Sequence, residues 1–159
     1  MSRLLINSNC LICNRISQIK NNNNPYFVKE LKSGYAVLAD YQFYKGYTLF
    51  LAKSHVEELH ELKNNREVYL QEMALVAEAV YIAFKPKKIN YELLGNTDKH
   101  LHWHIIPRYA NDPKPNSPIW IIDKKIRYAE SVKPAAEELK RLIKNLANKI
   151  ELLKVRSLF

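Results

Sequence analysis

The chain has 159 residues, 47% of them hydrophobic, with 25 Lys and Arg against 16 Asp and Glu for a net charge of +9. That is one ordinary globular domain with room for a core; no stretch reaches the roughly 18 uninterrupted apolar residues of a membrane helix. The N-terminal apolar run is too short for a secretory signal, so a cytoplasmic protein is expected, in which the only two cysteines form no structural disulfide.

In chain order, residues 10–19 read as a short turn or helix and the polar run Asn21 to Pro25 as a loop. Residues 26–31 and 35–39 are rich in β-formers and join through Lys32-Ser33-Gly34 as a hairpin. Residues 47–52, entered through Gly46, are a third strand, and 56–62 a short helix. Over residues 68–84, Leu70, Met73, Ala77, Val80 and Phe84 recur at three- and four-residue spacing, which predicts an amphipathic helix stopped by Pro86. Residues 89–94 are a strand, 95–99 a tight turn, and a further strand runs from His100 to Pro107. Pro113, Pro115 and Pro118 keep the connection over 111–118 irregular. Residues 132–155 predict a long helix with Pro134 in its first turn, and its stripe (Leu139, Leu142, Ile143, Leu146, Ile150, Leu153) is best used in packing onto the sheet. No repeat or second boundary divides 1–159. Strands, helix, strands, helix, without βαβ alternation, predict an α+β domain with an antiparallel sheet.

Three of the five histidines fall within five residues, alternating with apolar neighbours: His100-Leu101-His102-Trp103-His104-Ile105-Ile106. Alternate residues of a strand share a face, so this spacing points three imidazoles one way and Leu101, Trp103 and Ile105 into a core. Neutral imidazole is both a nucleophile and a metal ligand. A half-buried strand with incidental histidines is the bland alternative, which a row of three outweighs. Cys10 and Cys13 have the spacing of a zinc half-site, since thiolates favour zinc in tetrahedral geometry; two free buried cysteines are the other reading. The lysines are dispersed among acidic residues, which fits solubility and a mild pull on phosphates rather than a nucleic-acid groove, and nucleic acid is not an expected partner.

These residues also carry a resemblance. His100 to Ile106 resembles the signature of the histidine triad (HIT) family, Cys10-Leu11-Ile12-Cys13 resembles the cysteine pair of its zinc-carrying, diadenosine polyphosphate hydrolase-like branch, and Gly46 to His55 is similar to its central strand and following histidine. The pieces span about residues 10–109. The resemblance implies a HIT-like sheet of about five antiparallel strands with packed helices, here followed by the connection over 111–118 and the C-terminal helix. It implies nucleotidyl chemistry at an α-phosphate: His102 as nucleophile forming a nucleotidyl-histidine, His104 on the same phosphate, and His100 orienting His102, binding metal, or both. With no P-loop in the sequence, imidazoles and backbone donors carry the electrostatics.

The family's ribose-binding acid corresponds to Asp40 and its phosphate-facing turn to Asn96 and Thr97, residues that solvated-loop and turn chemistry explain equally well. A structural zinc on Cys10, Cys13, His55 and His100 is implied, with His60 the weaker candidate because of its helical offset from His55. The implied activity is a dinucleoside polyphosphate hydrolase of the diadenosine tetraphosphate type. Alternatives are a nucleoside phosphoramidate hydrolase or nucleotidyl transferase, and a non-catalytic zinc-stabilised module binding nucleotide or nucleic acid. A homodimer is implied too, for which the helix over 68–84 is apolar enough on more than one side. Two features depart from the family: Tyr47 stands where many members carry another histidine, and the turn over 95–99 is short, leaving less protein around a polyphosphate.

Overall fold

The structure, a computed structural model, describes residues 9–156. Its elements in chain order are α1 (Leu11–Lys20), β1 (Phe27–Glu30), β2 (Gly34–Leu38), β3 (Thr48–Ala52), α2 (Arg66–Phe84), β4 (Lys88–Glu92), β5 (His102–Arg108), α3 (Lys124–Arg127) and α4 (Ala136–Arg156). The strands form one five-stranded sheet in the order β1-β2-β3-β5-β4, antiparallel throughout, as the α+β reading expects.

Register decides which face carries the histidines. On β3 and β5, Leu49 lies opposite His104 and Leu51 opposite His102, while Phe50 lies opposite Trp103. Directly opposed residues share a face. The histidine face is therefore the one that α1 covers, where Ile12, Ile16 and Ile19 pack with Tyr35, Val37 and Leu51. On the other face Phe50 and Ile105 pack with Val76 and Val80 of α2 and with Leu146 and Ile150 of α4. No helix among the described residues is long and apolar enough to cross a membrane.

Three differences from the sequence expectation have local causes. The segment over 56–62 is a single 3-10 turn, Leu59–Glu61, because the Glu61 carboxylate accepts from the amides of Glu57 and Glu58 and closes one turn only. The last helix begins at Ala136 instead of 132, since Pro134 disfavours helical geometry in the residue before it. As expected, the α4 stripe packs onto the sheet face against Phe50 and Ile105, and it lies along α2 as well. It thereby covers in cis the second apolar side of α2 that the sequence left open to a partner. Pro107 does not end β5 either. Pairing with β3 stops at Ile105, so at position 107 only β4 remains as a neighbour and the missing N–H is tolerated.

Polar ties hold these layers in place. The buried Tyr69 hydroxyl of α2 donates to the carbonyls of Phe50 (2.9 Å) and Leu101 (3.4 Å), on the two segments that frame the histidines. Arg108, 4% exposed, donates to Asp112 (3.0 Å), Asn90 (2.9 Å) and the Ser117 carbonyl (2.8 Å), with its guanidinium over the ring of Tyr44. That pins the proline-rich connection to the sheet and returns the chain to the histidine face. Gly46 makes the turn into β3 at φ +85°, and a Cβ there would collide with the Phe84 ring. Gly46→Ala is expected to cost about 2 kcal/mol or more, from left-handed strain plus the clash; a denaturant midpoint unchanged from wild type would contradict this.

Candidate functional site

The lead into β5 separates the three histidines. β5 begins at His102, and His100 lies before it, fully buried and in a cluster that holds neither of the other two. This corrects the expectation of one row of three. The bend at residue 100 breaks the strand alternation that the pattern assumed.

His100 instead meets Cys10, Cys13 and His55, whose ligand atoms all lie within 4.8 Å of one another. Its Nδ1 is 3.6 Å from Cys10 Sγ, 3.5 Å from Cys13 Sγ and 3.2 Å from His55 Nδ1, and Cys13 Sγ is 3.3 Å from His55 Nδ1. Ligand atoms about 2.1–2.3 Å from one tetrahedral ion lie about 3.4–3.8 Å apart. Nitrogen and sulfur donors at these separations fit zinc. The protonation pattern agrees, because His100 Nε2–H donates to the Ala52 carbonyl (2.8 Å), which leaves the Nδ1 lone pair facing the cluster. Burial, with His55 adding to it, pushes His100 down to about 4 and keeps it neutral. Cys10 caps α1, its sulfur accepting from the Cys13 amide at 3.4 Å. His60 is exposed on the 3-10 turn and outside the cluster.

His102 and His104 remain together on β5, ring centroids 4.7 Å apart. Their partners set opposite tautomers. His102 Nδ1–H donates to the His100 carbonyl at 2.5 Å, which leaves Nε2 with a lone pair. Burial raises the Tyr47 pKa far above its ordinary value, so its hydroxyl stays protonated; His104 Nδ1 at 2.6 Å is its one hydrogen-bond partner among the described residues, and donation there is what satisfies that buried proton. The proton of neutral His104 is then on Nε2, and burial drives that imidazole's pKa down to about 3, with His102 adding to it. One ring offers a nucleophilic nitrogen and its neighbour an N–H donor. That is a complete pair for attack on an anionic centre.

Two cavities meet at this pair. The smaller, about 220 Å³, lies beside α1 and is lined by Ile12, Arg15, Asp40 and Leu51. The larger, about 630 Å³, is lined by Asn96, Thr97, Trp120, Lys124, Arg127 and Tyr128. Asp40 takes both oxygens to Arg15 (2.6 and 2.7 Å), and this bond holds the Arg15 pKa above its ordinary value. A carboxylate has about four lone-pair sites, so Asp40 retains acceptor capacity toward the cavity. His100 lines neither cavity.

A model of the HIT domain family matches residues 20–111, more than half of the chain. The chain belongs to the HIT domain family. "Protein hit" of Bacillus subtilis is 33% identical over 75 residues, which cover 43% of this chain and 52% of that protein, so the chain spans about half the length of this curated relative. Among solved structures, a histidine triad protein from Marinobacter aquaeolei superposes with a TM-score of 0.69 at 24% identity, over 80% of this chain and 89% of that one. A Zn-bound histidine triad family protein from Mycobacterium smegmatis does so at 0.63 and 20% identity, over 93% and 97%.

Sequence reasoning missed Arg15, the bond from Tyr47 to His104, and the part played by Lys124, Arg127 and Tyr128. The Tyr47 hydroxyl hydrogen-bonds the second histidine of the pair. A basic and aromatic run between the last proline and the C-terminal helix (Trp120, Lys124, Arg127, Tyr128) was the available signal. What brings it to the histidines is Arg108, whose partners are set by tertiary packing.

Proposed function

We propose that this protein is a nucleotide hydrolase or nucleotidyl transferase acting at an α-phosphate, with dinucleoside polyphosphates of the diadenosine tetraphosphate type as its substrates. The observation that carries the reading is the pair of opposite tautomers at the junction of two cavities. The His102 Nε2 lone pair attacks phosphorus, an N–P bond forms and the P–O bond to the leaving phosphate breaks, its electron pair going to that oxygen. His104 Nε2–H donates to a non-bridging oxygen of the same phosphate as charge builds there. Water then attacks phosphorus, the N–P bond breaks with its pair returning to Nε2, and the water's proton passes to solvent. A nucleoside monophosphate and the shortened nucleotide result. The His100 carbonyl holds the tautomer and aim of His102. Cys10, Cys13, His55 and His100 would hold zinc, which would supply structural cross-linking between their segments.

Steady-state assays with diadenosine tetraphosphate and with adenosine 5′-phosphoramidate test this reading. Turnover of the first with the higher kcat/KM supports it, preference for the second favours the phosphoramidate reading, and turnover of neither, with nucleotide or nucleic acid still bound, favours a binding module.

In this reading Asp40 accepts from ribose hydroxyls, while Asn96 and Thr97 contact phosphates. Asp40→Asn is expected to raise KM about tenfold or more, the scale of losing a charged hydrogen bond, with kcat within about threefold. The gap between ribose and 2′-deoxyribose substrates should shrink in the variant. Equal kinetics with both sugars before and after substitution would remove Asp40 from the site. A homodimer completes the proposal. With α4 lying over α2, the edge strand β4, whose Tyr91 is half exposed, is the surface offered for it. Light scattering that gives a monomer mass at micromolar concentration would refute the dimer.

A further inference from the structure

The larger cavity is built on one side by residues outside the span that the family model matches. Arg108 ties the proline-rich connection to the sheet, and the segment after it crosses the histidine face, where the Trp120 ring meets His104 edge-on at 6.1 Å. The indole N–H donates to Glu92 (2.7 Å), which fixes the plane of the ring. Arg127 then lies with its guanidinium 4.8 Å from the Trp120 ring and 5.2 Å from that of Tyr128. It is 9% exposed, its Nε donates to the Ile122 carbonyl (2.9 Å), and among the described residues no carboxylate pairs with it. Lys124, three residues earlier, lines the same cavity, and among the described residues no carboxylate pairs with it either. The acids closest in sequence are engaged elsewhere, Asp123 capping the Lys125 amide and Glu130 pairing with Lys133 (3.0 Å), and Glu92 takes the indole. Asp98 is the acid that lines this cavity, and it lines the smaller one as well.

A buried guanidinium is costly to desolvate, and two rings and one carbonyl leave its terminal nitrogens without an anion. Stacking between two rings pre-orients its two terminal nitrogens for a phosphate, the anion whose geometry a guanidinium matches. We infer that residues 119–128 form the leaving-group half of the site, with Arg127 and Lys124 binding phosphates beyond the one attacked and Trp120 and Tyr128 offering aromatic faces to a base. This rests on the hydrolase reading above and deepens it: the departing group is a nucleoside polyphosphate. An amine has no use for two unpaired cations, and a cationic amine is repelled by them. The difference in size agrees, about 220 Å³ beside Asp40 against about 630 Å³ here. The turn over 95–99 and this segment line the same cavity beside the histidines.

The test compares Lys124→Gln, Arg127→Gln and the double variant on diadenosine tetraphosphate and adenosine 5′-phosphoramidate, with calorimetric binding of inorganic tripolyphosphate alongside. The loss in kcat/KM for the tetraphosphate is expected to exceed that for the phosphoramidate by tenfold or more in each single variant. Tripolyphosphate is expected to bind wild type at least tenfold more tightly than the double variant. Arg127 also holds the Ile122 carbonyl, so a poorly folded Arg127→Gln would lower both activities together. Lys124→Gln removes an exposed side chain without a hydrogen bond and decides in that case. Equal losses on both substrates in Lys124→Gln, or tripolyphosphate affinity unchanged in the double variant, would overturn the inference. Should wild type turn over neither substrate, the hydrolase reading fails, and tripolyphosphate binding still decides whether this half-site takes phosphates.

Discussion

His102→Ala is expected to lose turnover by about 10⁴-fold or more while still binding nucleotide, because removal of the proposed covalent nucleophile leaves only positioning and charge stabilisation behind. The size of the effect follows from the two hydrogen bonds that make the pair unequal. The His100 carbonyl directs the Nε2 lone pair of His102 into the cleft, whereas the hydroxyl of Tyr47 directs a proton there from His104. His104→Ala therefore removes the proposed donor to the phosphate, with an expected loss of about 10²–10³. Acid-labile nucleotide should be recovered on His102 after quenching wild type during turnover, and none on His102→Ala. Wild-type rates in His102→Ala would place the chemistry elsewhere. Rates equally low in both variants would mean that the two rings act as one unit, contrary to the roles their partners give them.

The path from sequence to site was legible where a short-range pattern decides geometry. Alternation around His102 and His104 put them on one face opposite Trp103 and Ile105, and pairing with Leu49 and Leu51 keeps them there. The spacing of Cys10 and Cys13 pointed to a half-site, and the fold brings His55 and His100 within reach of it. Alternation failed at His100 because a bend precedes the strand, and periodicity alone carries no trace of a bend. The apolar breadth of α2 suggested a partner; its second side is used by α4, and apolar breadth does not reveal which surface it will meet. The cavity wall from Trp120 to Tyr128 depended on Arg108 binding the Ser117 carbonyl and on Trp120 binding Glu92. Such contacts join residues distant in the chain, and nothing local announces them.

Cys13→Ser is expected to abolish stoichiometric zinc and, through it, both stability and rate. The proposed ligands join three segments: the start of α1, the loop after β3 and the lead into β5. A ligand present at about 10²–10³ times its dissociation constant stabilises the folded state by about 3–4 kcal/mol. For a chain of this size each kcal/mol moves the melting temperature by about 2–4 °C, so a fall of about 6–15 °C is expected in the variant or after chelation. The effect on rate is indirect. His100 gives its Nδ1 to the cluster and its carbonyl to His102, so freeing its side chain loosens the group that fixes the nucleophile's tautomer. Turnover should drop in kcat more than in KM, since ground-state contacts to the nucleotide lie in cavities that His100 does not line. His60→Ala is the control. That side chain is exposed and outside the cluster, and its variant should keep full metal, melting temperature and rate. Metal analysis of the untagged protein that finds no zinc, or stoichiometric zinc persisting in Cys13→Ser, would refute the assignment.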